Sequence, residues 1–267
     1  MKLSPEQVTD AARRLYEAEK NRQQISALTQ DLAMDMDDAY AVQKAWIDQR
    51  LEDGERIIGY KIGLTSKSMQ LAMNIDTPDY GVLTDVMSFE SGATLAAGDF
   101  LDPRIETEFA FVLNQPLFGE DVTVDDVMAA TDYIQPALEL ISARSTRVDP
   151  ATGYTRTVFD TIADNAANAG VITGGEKMDP QAVDLPWAGA ILCRNGEIED
   201  TGLGAAVMGH PAHGIRWVCK RFAPHGISLQ PGQLILSGSF TRPVPVAAGD
   251  HITADYGPFG AIEVTFA

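Results

Sequence analysis

The feature that most constrains the fold is a long succession of short apolar runs, which starts near residue 56 and continues to the C-terminus. Each run is rich in β-branched or aromatic residues and is bounded by Gly, Asp, Asn or Pro, a pattern typical of β-strands separated by turns. The run "AILCRNGEIED" contains Asn195-Gly196, a pair that favours the tight turn of a β-hairpin. Because these runs do not alternate regularly with helices, a doubly wound parallel sheet is disfavoured.

Two helices are predicted before the strands begin. Ser4 and Gln7 occupy capping-box positions and are followed by apolar residues at helical spacing. A second helix is predicted from about residue 37 to residue 54, where a glycine ends it. Later in the chain, helical spacing recurs only near residues 123–131 and 211–222. We therefore predict an α+β fold in which most of the helical structure lies at the N-terminus.

The length of 267 residues suits one large domain or a domain with a small attachment. We predict a helical N-terminal lobe at residues 1–70 and a β-rich catalytic domain at residues 71–267. Few segments resemble linkers, so a single compact unit is the alternative to this division.

The charge of the chain excludes two classes of partner. Asp and Glu number 38 against 20 Lys and Arg, and the formal net charge of −18 repels both nucleic acid and anionic membranes. The first twenty residues lack an apolar signal core, and no run is long enough for a membrane span. Cys193 and Cys219 lie in apolar runs and are too few for a disulfide framework. These observations predict a cytoplasmic protein with reduced thiols.

One predicted core strand carries two acids. In "PRIETEFAFV", Glu106 and Glu108 lie two positions apart and therefore point to the same face, and the rest of both faces is apolar. Glu139 lies in a second apolar run, "YIQPALELISA". A solvated edge strand explains an isolated pair of this kind, but three acids in two apolar segments predict a shared cation. Ligation by oxygen alone favours Mg²⁺, then Mn²⁺ or Ca²⁺.

Further polar residues have two readings each. Lys61 lies between two glycines of a predicted strand, where it is either a proton carrier or anion clamp, or an edge lysine that discourages sheet pairing. Asp79 precedes a Tyr-Gly pair and has the default role of a turn aspartate. Arg242 follows a predicted strand, where it either binds an anion or forms a surface salt bridge. The segment 159–170, "FDTIADNAANAG", is either a helix start or a pocket wall.

Six strings, in order along nearly the whole chain, resemble the hydratase and decarboxylase branch of the fumarylacetoacetate hydrolase superfamily. They are "GYKIGLTSK", "PDYGVL", "RIETEFAFVL", "TDYIQPALELI", "VFDTIADNAANAGV" and "SGSFTRPVPVAAGD". The resemblance implies a mixed β-sandwich or β-roll catalytic domain of the fumarylacetoacetase C-terminal type and homo-oligomers built from dimers. It also implies that Glu106, Glu108 and Glu139 hold Mg²⁺ and that Lys61 and Asp79 have active-site roles.

The activity that this resemblance implies is that of a metal-dependent hydratase, a hydro-lyase of aromatic catabolism acting on a small 2-oxo or 2-hydroxydienoic acid. A lowered pKa of Lys61 beside the cation would suit proton transfer, and Asp79 would orient or deprotonate the water, with these roles exchangeable. For a seven-carbon dioate, Arg242 together with Ser239 is the candidate partner of the distal carboxylate. Hydrolases of the fumarylacetoacetate type use a histidine as the base that activates water. No histidine of this chain precedes His210, so the resemblance disfavours hydrolysis.

Three alternatives to this activity remain open at the level of the sequence. The first is hydration of the shorter 2-hydroxypenta-2,4-dienoate, and the second is metal-dependent decarboxylation of a 2-oxo-3-enedioate such as 4-oxalocrotonate. The third, of another class, is a binding protein without catalytic activity. Metal-dependent turnover separates the first two from the third.

Overall fold

The computed structural model describes residues 1–72 and 75–267. Within these ranges the helices are α1 (Pro5–Asn21), α2 (Met36–Glu52), α3 (Lys67–Ala72), α4 (Val124–Ala129), α5 (Val158–Ala163) and α6 (Ala212–Phe222). The strands are β1 (Ile57–Gly63), β2 (Asp79–Thr84), β3 (Ser88–Glu90), β4 (Ala93–Leu95), β5 (Arg104–Leu113), β6 (Thr131–Ile141), β7 (Asn168–Thr173), β8 (Gly189–Arg194), β9 (Glu197–Leu203), β10 (Leu234–Leu236), β11 (Val244–Pro245), β12 (His251–Asp255) and β13 (Ala261–Phe266). None of the helices in the described ranges is long and apolar enough to cross a membrane.

The predicted helix starts are confirmed by their hydrogen bonds. The Ser4 side chain accepts a hydrogen bond from the Gln7 backbone, and the Gln7 side chain accepts one from the Ser4 backbone. Asp35 and Asp38 form the same reciprocal pair at the start of α2. Each pair satisfies N–H groups that the first helical turn leaves without partners. The later helices α4 and α6 also lie where helical spacing predicts them.

Two mixed sheets form the body of the protein. The larger has the order β2-β1-β10-β5-β6-β7-β3, with β11 also paired to β5, and the smaller has the order β4-β13-β12-β8-β9. Tyr256 joins the two sheets, because its hydroxyl lies 2.5 Å from the carbonyl oxygen of Ala137 and 3.2 Å from that of Glu108. Asn195 and Gly196 connect β8 to β9 with φ of 55° and 84°, as the predicted hairpin turn requires. The predicted α+β class with mixed sheets is confirmed.

The N-terminal helices are joined to the larger sheet through a buried arginine. Arg144 contacts Glu19 of α1 at 3.0 Å and Asp164 at 3.3 Å, and its guanidinium lies 4.9 Å from the ring centre of Trp46 in α2. One apolar core runs from α1 into both sheets. Strand β1, which falls within the predicted lobe of residues 1–70, is a member of the larger sheet between β2 and β10. The division near residue 70 stays a prediction.

Candidate active site

The pairing of β5 with β6 gathers the three glutamates. Glu106 is directly opposite Glu139 across the antiparallel pair, and Glu108 is opposite Ala137. One carboxylate oxygen from each glutamate lies within 4.8 Å of the other two. Glu108 and Glu139 are buried, and Glu106 is half-buried. The cluster predicted from the two apolar runs is therefore formed by the fold.

Burial and mutual repulsion favour the protonated form of these acids. Burial raises the pKa of Glu106 to about 8, and the charge of Glu139 adds to the effect. Burial, followed by the charges of Glu139 and Glu106, raises the pKa of Glu108 well above its ordinary value. Two full charges 4.8 Å apart repel by about 3 kcal/mol at an effective dielectric near 20. Near neutral pH the cluster therefore has to hold either protons or a cation.

The donor atoms of the cluster fit a hard divalent cation. Both carboxylate oxygens of Glu139 are buried; Oε1 lies 3.1 Å from Lys61 Nζ, and Oε2 has no hydrogen-bond partner among the described residues. Glu108 accepts one hydrogen bond, from the Gly238 backbone at 2.8 Å. The unfilled lone pairs all belong to oxygen, the ligand that Mg²⁺, Mn²⁺ and Ca²⁺ prefer. The three glutamates are thus a group that could hold a divalent cation.

Lys61 lies against the cluster. Its Nζ atom is 3.1 Å from Glu139 Oε1, and the side chain, on β1, is buried. Burial opposes the ammonium charge, but the carboxylates of Glu139 and Asp79 outweigh it and raise the pKa of Lys61. The lowered pKa of Lys61 that the sequence led us to expect requires a bound cation. Without a cation, the neighbouring carboxylates raise this pKa instead. Lys61 is therefore an ammonium whose pKa depends on the cation.

Asp79 meets Lys61 at a glycine of the neighbouring strand. Asp79 of β2 pairs with Gly63 of β1, and a Cβ atom at Gly63 would lie 2.3 Å from Asp79 Oδ1 and 3.0 Å from Lys61 Nζ. Burial raises the pKa of Asp79 to about 6, against the opposing charge of Lys61. Oδ1 is buried and has no hydrogen-bond partner among the described residues. Because Gly63 has no side chain, the side chains of Lys61 and Asp79 can both occupy the space next to it.

A partly open cavity contains these groups. Its lining includes Lys61, Asp79, Glu106, Glu108 and Ser239. Helix α5 and the turn after it supply a further wall, so segment 159–170 is both a helix and a pocket wall. The arrangement provides a cluster of carboxylate oxygens that could hold a cation, a buried ammonium, and a carboxylate whose pKa burial raises to about 6. Such a set suits proton transfer to and from a small acid whose negative charge the cation stabilises.

Known proteins align with nearly the whole chain. No family model matches. The chain is 50% identical to 2-oxo-hept-4-ene-1,7-dioate hydratase of Escherichia coli, with 96% of each chain covered. It is 38% identical to 2-hydroxyhexa-2,4-dienoate hydratase of Comamonas testosteroni, with 95% of each covered. The protein belongs to the hydratase and decarboxylase branch of the fumarylacetoacetate hydrolase superfamily.

Solved structures extend the likeness to this branch. The 4-oxalocrotonate decarboxylase from Pseudomonas putida G7, complexed with magnesium and adipate, superposes with a TM-score of 0.93 at 34% identity and covers 99% of both chains. A fumarylpyruvate hydrolase from Pseudomonas aeruginosa superposes with a TM-score of 0.57 at 13% identity, with 78% of this chain and 88% of that chain covered. The second likeness shows the fold alone. The fold class predicted from the sequence is thus also that of known members of the superfamily.

In this member of the superfamily, Ser239 and Arg242 lie in different places. Ser239 lines the cavity, and its hydroxyl donates to the Thr241 carbonyl oxygen at 2.8 Å. Arg242 is not among the cavity-lining residues of the described ranges, and 52% of its side chain is exposed. Its guanidinium donates to the carboxylate of Glu199 at 2.8 Å. The structure therefore gives Arg242 the surface salt bridge that the sequence left open as its alternative role.

Two arginines that line the cavity were not identified as site residues from the sequence. Arg147 and Arg156 both line it, from the loop between β6 and α5. This loop carries three arginines, Arg144, Arg147 and Arg156, in a strongly acidic chain. That local excess of positive charge is the signal that could have identified them, since neither residue lies in a periodic element. The cavity of this superfamily member is therefore lined by both acidic and basic residues.

Proposed function

We propose that the protein is a magnesium-dependent hydratase of aromatic catabolism, in the breakdown of homoprotocatechuate (4-hydroxyphenylacetate). It adds water to 2-oxo-hept-4-ene-1,7-dioate, through the 2-hydroxydiene tautomer, and gives 4-hydroxy-2-oxoheptane-1,7-dioate. The observation that carries the proposal is that Lys61, Asp79, Glu106 and Glu108 line one cavity, with Glu139 beside them in the carboxylate cluster and 3.1 Å from Lys61 Nζ. The 50% identity to the Escherichia coli hydratase supports this choice of substrate.

Glu106, Glu108 and Glu139 would hold the magnesium ion. When bound, the ion acts as a Lewis acid and stabilises the negative charge that develops on the C2 oxygen as the dienol becomes a ketone. The all-oxygen donor set supports Mg²⁺ and also accommodates Mn²⁺. The magnesium in the related decarboxylase structure supports the same choice.

Lys61 and Asp79 divide the proton transfers. Lys61 Nζ donates a proton to C5 of the dienol as the C2 hydroxyl loses its own proton to solvent, which moves the double bond to C3–C4, in conjugation with the C2 ketone. Asp79 orients the water that adds at C4 and accepts its proton at Oδ1, which lacks a partner in the described part of the chain. This proton then passes to C3, so that one water is added in all. The pKa of Asp79, raised to about 6 mainly by burial, keeps much of it ionised near neutral pH. The reverse assignment of acid and base uses the same two groups.

A decarboxylase of 2-oxo-3-enedioates is the second candidate. The TM-score of 0.93 to 4-oxalocrotonate decarboxylase is the observation in its favour. The purified protein should be incubated with Mg²⁺ and either the seven-carbon dienol dioate or 4-oxalocrotonate, with ultraviolet absorbance and product mass followed together. Gain of one water from the dioate supports the hydratase, and loss of carbon dioxide from 4-oxalocrotonate supports the decarboxylase. Failure of Mg²⁺ to produce any turnover would leave a binding protein.

The proposal includes a homo-oligomer built from dimers, located in the cytoplasm. Around β8 and β9 the monomer exposes large apolar side chains, namely Trp187 (75%), Ile198 (65%), Ile191 (42%) and Leu203 (42%). Exposed apolar patches of this kind are typical of protein interfaces. The free thiols of Cys193 and Cys219 fit a reducing compartment. Light scattering on the purified protein tests the oligomer, and a monomer at micromolar concentration contradicts it.

A further inference from the structure

We infer that Arg147 and Arg156 form an anion subsite that binds the distal carboxylate of a dicarboxylate substrate and thereby selects dioates over monocarboxylates. The inference rests on the proposed function for the identity of the substrate. Both residues line the cavity that also contains Glu106 and Glu108. Both guanidinium groups are weakly paired within the protein.

Arg156 is a buried cation with distant partners. Only 8% of the residue is exposed, and its Nη1 atom lies 3.5 Å from the Ser145 carbonyl oxygen and 3.9 Å from Asp164 Oδ2. Asp164 is engaged more closely by Arg144, whose backbone N–H donates to it at 2.8 Å. Burial, and next the charge of Arg147, lowers the pKa of Arg156 to about 10. Arg156 therefore remains charged near neutral pH, and its ion pair among the described residues, with Asp164, spans 3.9 Å.

Arg147 has one edge occupied and another open. Its Nε atom donates to Asp102, which fixes the direction of the guanidinium. Its Nη2 atom is buried and has no hydrogen-bond partner among the described residues. A buried donor left without an acceptor costs free energy, which an incoming oxygen would recover. The unpaired Nη2 donor of Arg147 therefore favours the binding of a carboxylate or a similar planar anion beside it.

The two sides of the cavity match the two ends of a dioate. Glu106, Glu108 and Glu139 would hold the cation that would bind one end of the substrate, and the arginines supply positive charge in the same cavity. Because Arg147 and Arg156 line this cavity together with Glu106 and Glu108, one small molecule within it can approach both the basic and the acidic residues. A monocarboxylate dienol has nothing to place against the arginines.

Selectivity between two substrates is the direct test. Arg147→Met and Arg156→Met should each lower kcat/KM for the seven-carbon dienol dioate by about 100-fold while changing that for 2-hydroxypenta-2,4-dienoate by less than about 3-fold. Arg104→Met is the matched control, because Arg104 also pairs with Asp102 and is 27% exposed against 28% for Arg147, but is not a cavity-lining residue. It should leave the ratio of the two kcat/KM values unchanged. Equal losses for both substrates in the cavity variants would overturn the subsite.

Binding without turnover separates the subsite from the proposed reaction. With Mg²⁺ present, calorimetry should show that Arg147→Met and Arg156→Met weaken adipate binding far more than hexanoate binding. That result in a protein that hydrates none of the dienols would support the subsite and reject the hydratase. Normal hydration with unchanged selectivity in both variants would reject the subsite alone. A loss of activity in Arg242→Met that is specific to the dioate would also reject it.

If a Met variant does not fold, Arg147→Lys and Arg156→Lys provide a second test. They keep the positive charge but lose the planar guanidinium that binds a carboxylate with two hydrogen bonds, so they should still lower the preference for the dioate.

Discussion

Glu106 of β5 directly faces Glu139 of β6 within an antiparallel pair. Like charges in directly opposite positions destabilise a sheet, and these two lie in strands that are otherwise apolar. Without a cation, the carboxyl groups of Glu106 and Glu139 can face each other only if at least one of them is protonated. The raised pKa of Glu106 indicates such protonation. A cation bound between Glu106 and Glu139 would therefore stabilise the pairing of β5 with β6.

Replacing Glu106 with glutamine should separate metal affinity from stability. Glu106→Gln removes one ligand charge, so the affinity for Mn²⁺ or Mg²⁺, measured by calorimetry, should fall by about 100-fold. The melting temperature of the metal-free variant should be equal to or above that of the parent, because the repulsion with Glu139 is gone. Glu263→Gln, on an exposed position of β13, is the control and should change neither quantity. Unchanged metal affinity in Glu106→Gln would rule out this cluster as the metal site.

The metal-free protein should lose stability as the pH rises. The pKa of Glu106 is raised from 4.5 to about 8, mainly by burial, so between these values the folded state holds a proton that the unfolded state has released. The stabilising effect is therefore complete below about pH 4.5 and is lost as the pH rises through 8. The melting temperature without metal should fall by about 5 °C or more between pH 5.5 and 8.

Bound Mg²⁺ should stabilise the protein more strongly at high pH than at low pH. Protons compete with the cation for the same carboxylates, so magnesium affinity should increase with pH up to about the pKa of Glu106. The rise in melting temperature produced by Mg²⁺ should accordingly be larger at pH 8 than at pH 5.5. A magnesium effect that is equal at both pH values would contradict the raised pKa. Calcium offers a second cation for the same comparison.

The sequence predicted the elements and the metal cluster because both depend on local patterns. Apolar periodicity identifies strands β5 and β6, and acids that interrupt that periodicity are conspicuous. The pairing of Glu106 with Glu139 then follows once those two strands are neighbours. The predicted capping box of Ser4, which is confirmed, is equally local, and so is that of Asp35, which was not predicted, since each joins residues only three positions apart.

The basic side of the cavity could not be predicted in this way. Arg147 and Arg156 lie in a loop that packs by tertiary contacts, so their position follows from no period in the sequence. For Arg242 the sequence left open an anion site or a surface salt bridge, and which of them forms depends on Glu199 of the neighbouring hairpin, whose carboxylate accepts a hydrogen bond from it. The direction of the pKa shift of Lys61 also depends on distant residues, namely Glu139 and Asp79. In each case, contacts between residues far apart in the sequence decide the outcome.

A methyl group at Gly63 should disturb the proton-transfer pair without unfolding the protein. The added Cβ would lie 2.3 Å from Asp79 Oδ1 and 3.0 Å from Lys61 Nζ, so both side chains must move. Gly63→Ala should therefore lower kcat by about 100-fold, measured with the seven-carbon dioate under saturating Mg²⁺. Gly98→Ala is the matched control, since nothing lies within 4 Å of its added Cβ. Wild-type kcat in Gly63→Ala would argue against a joint role of Lys61 and Asp79.

Removing the buried arginine between the N-terminal helices and the sheet should be strongly destabilising. Arg144 is fully buried and pairs with Glu19 and with Asp164, whose pKa is raised to about 6 by burial despite the opposing charge of Arg144. Arg144→Leu should lower the free energy of unfolding by about 3 to 5 kcal/mol, because it leaves a buried carboxylate without its main partner. Urea unfolding followed by circular dichroism measures the change.

The second carboxylate distinguishes a lost ion pair from lost packing. If the cost of Arg144→Leu comes mainly from the stranded charge of Asp164, the double variant Arg144→Leu/Asp164→Asn should recover part of the loss. Arg13→Leu, which removes only the exposed pairs with Asp10 and Glu17, should change the free energy of unfolding by less than about 0.5 kcal/mol. No recovery in the double variant would mean that Arg144 acts through its contact with Trp46 and its carbonyl partners. Recovery would identify the ion pair with Asp164 as the main source of the loss.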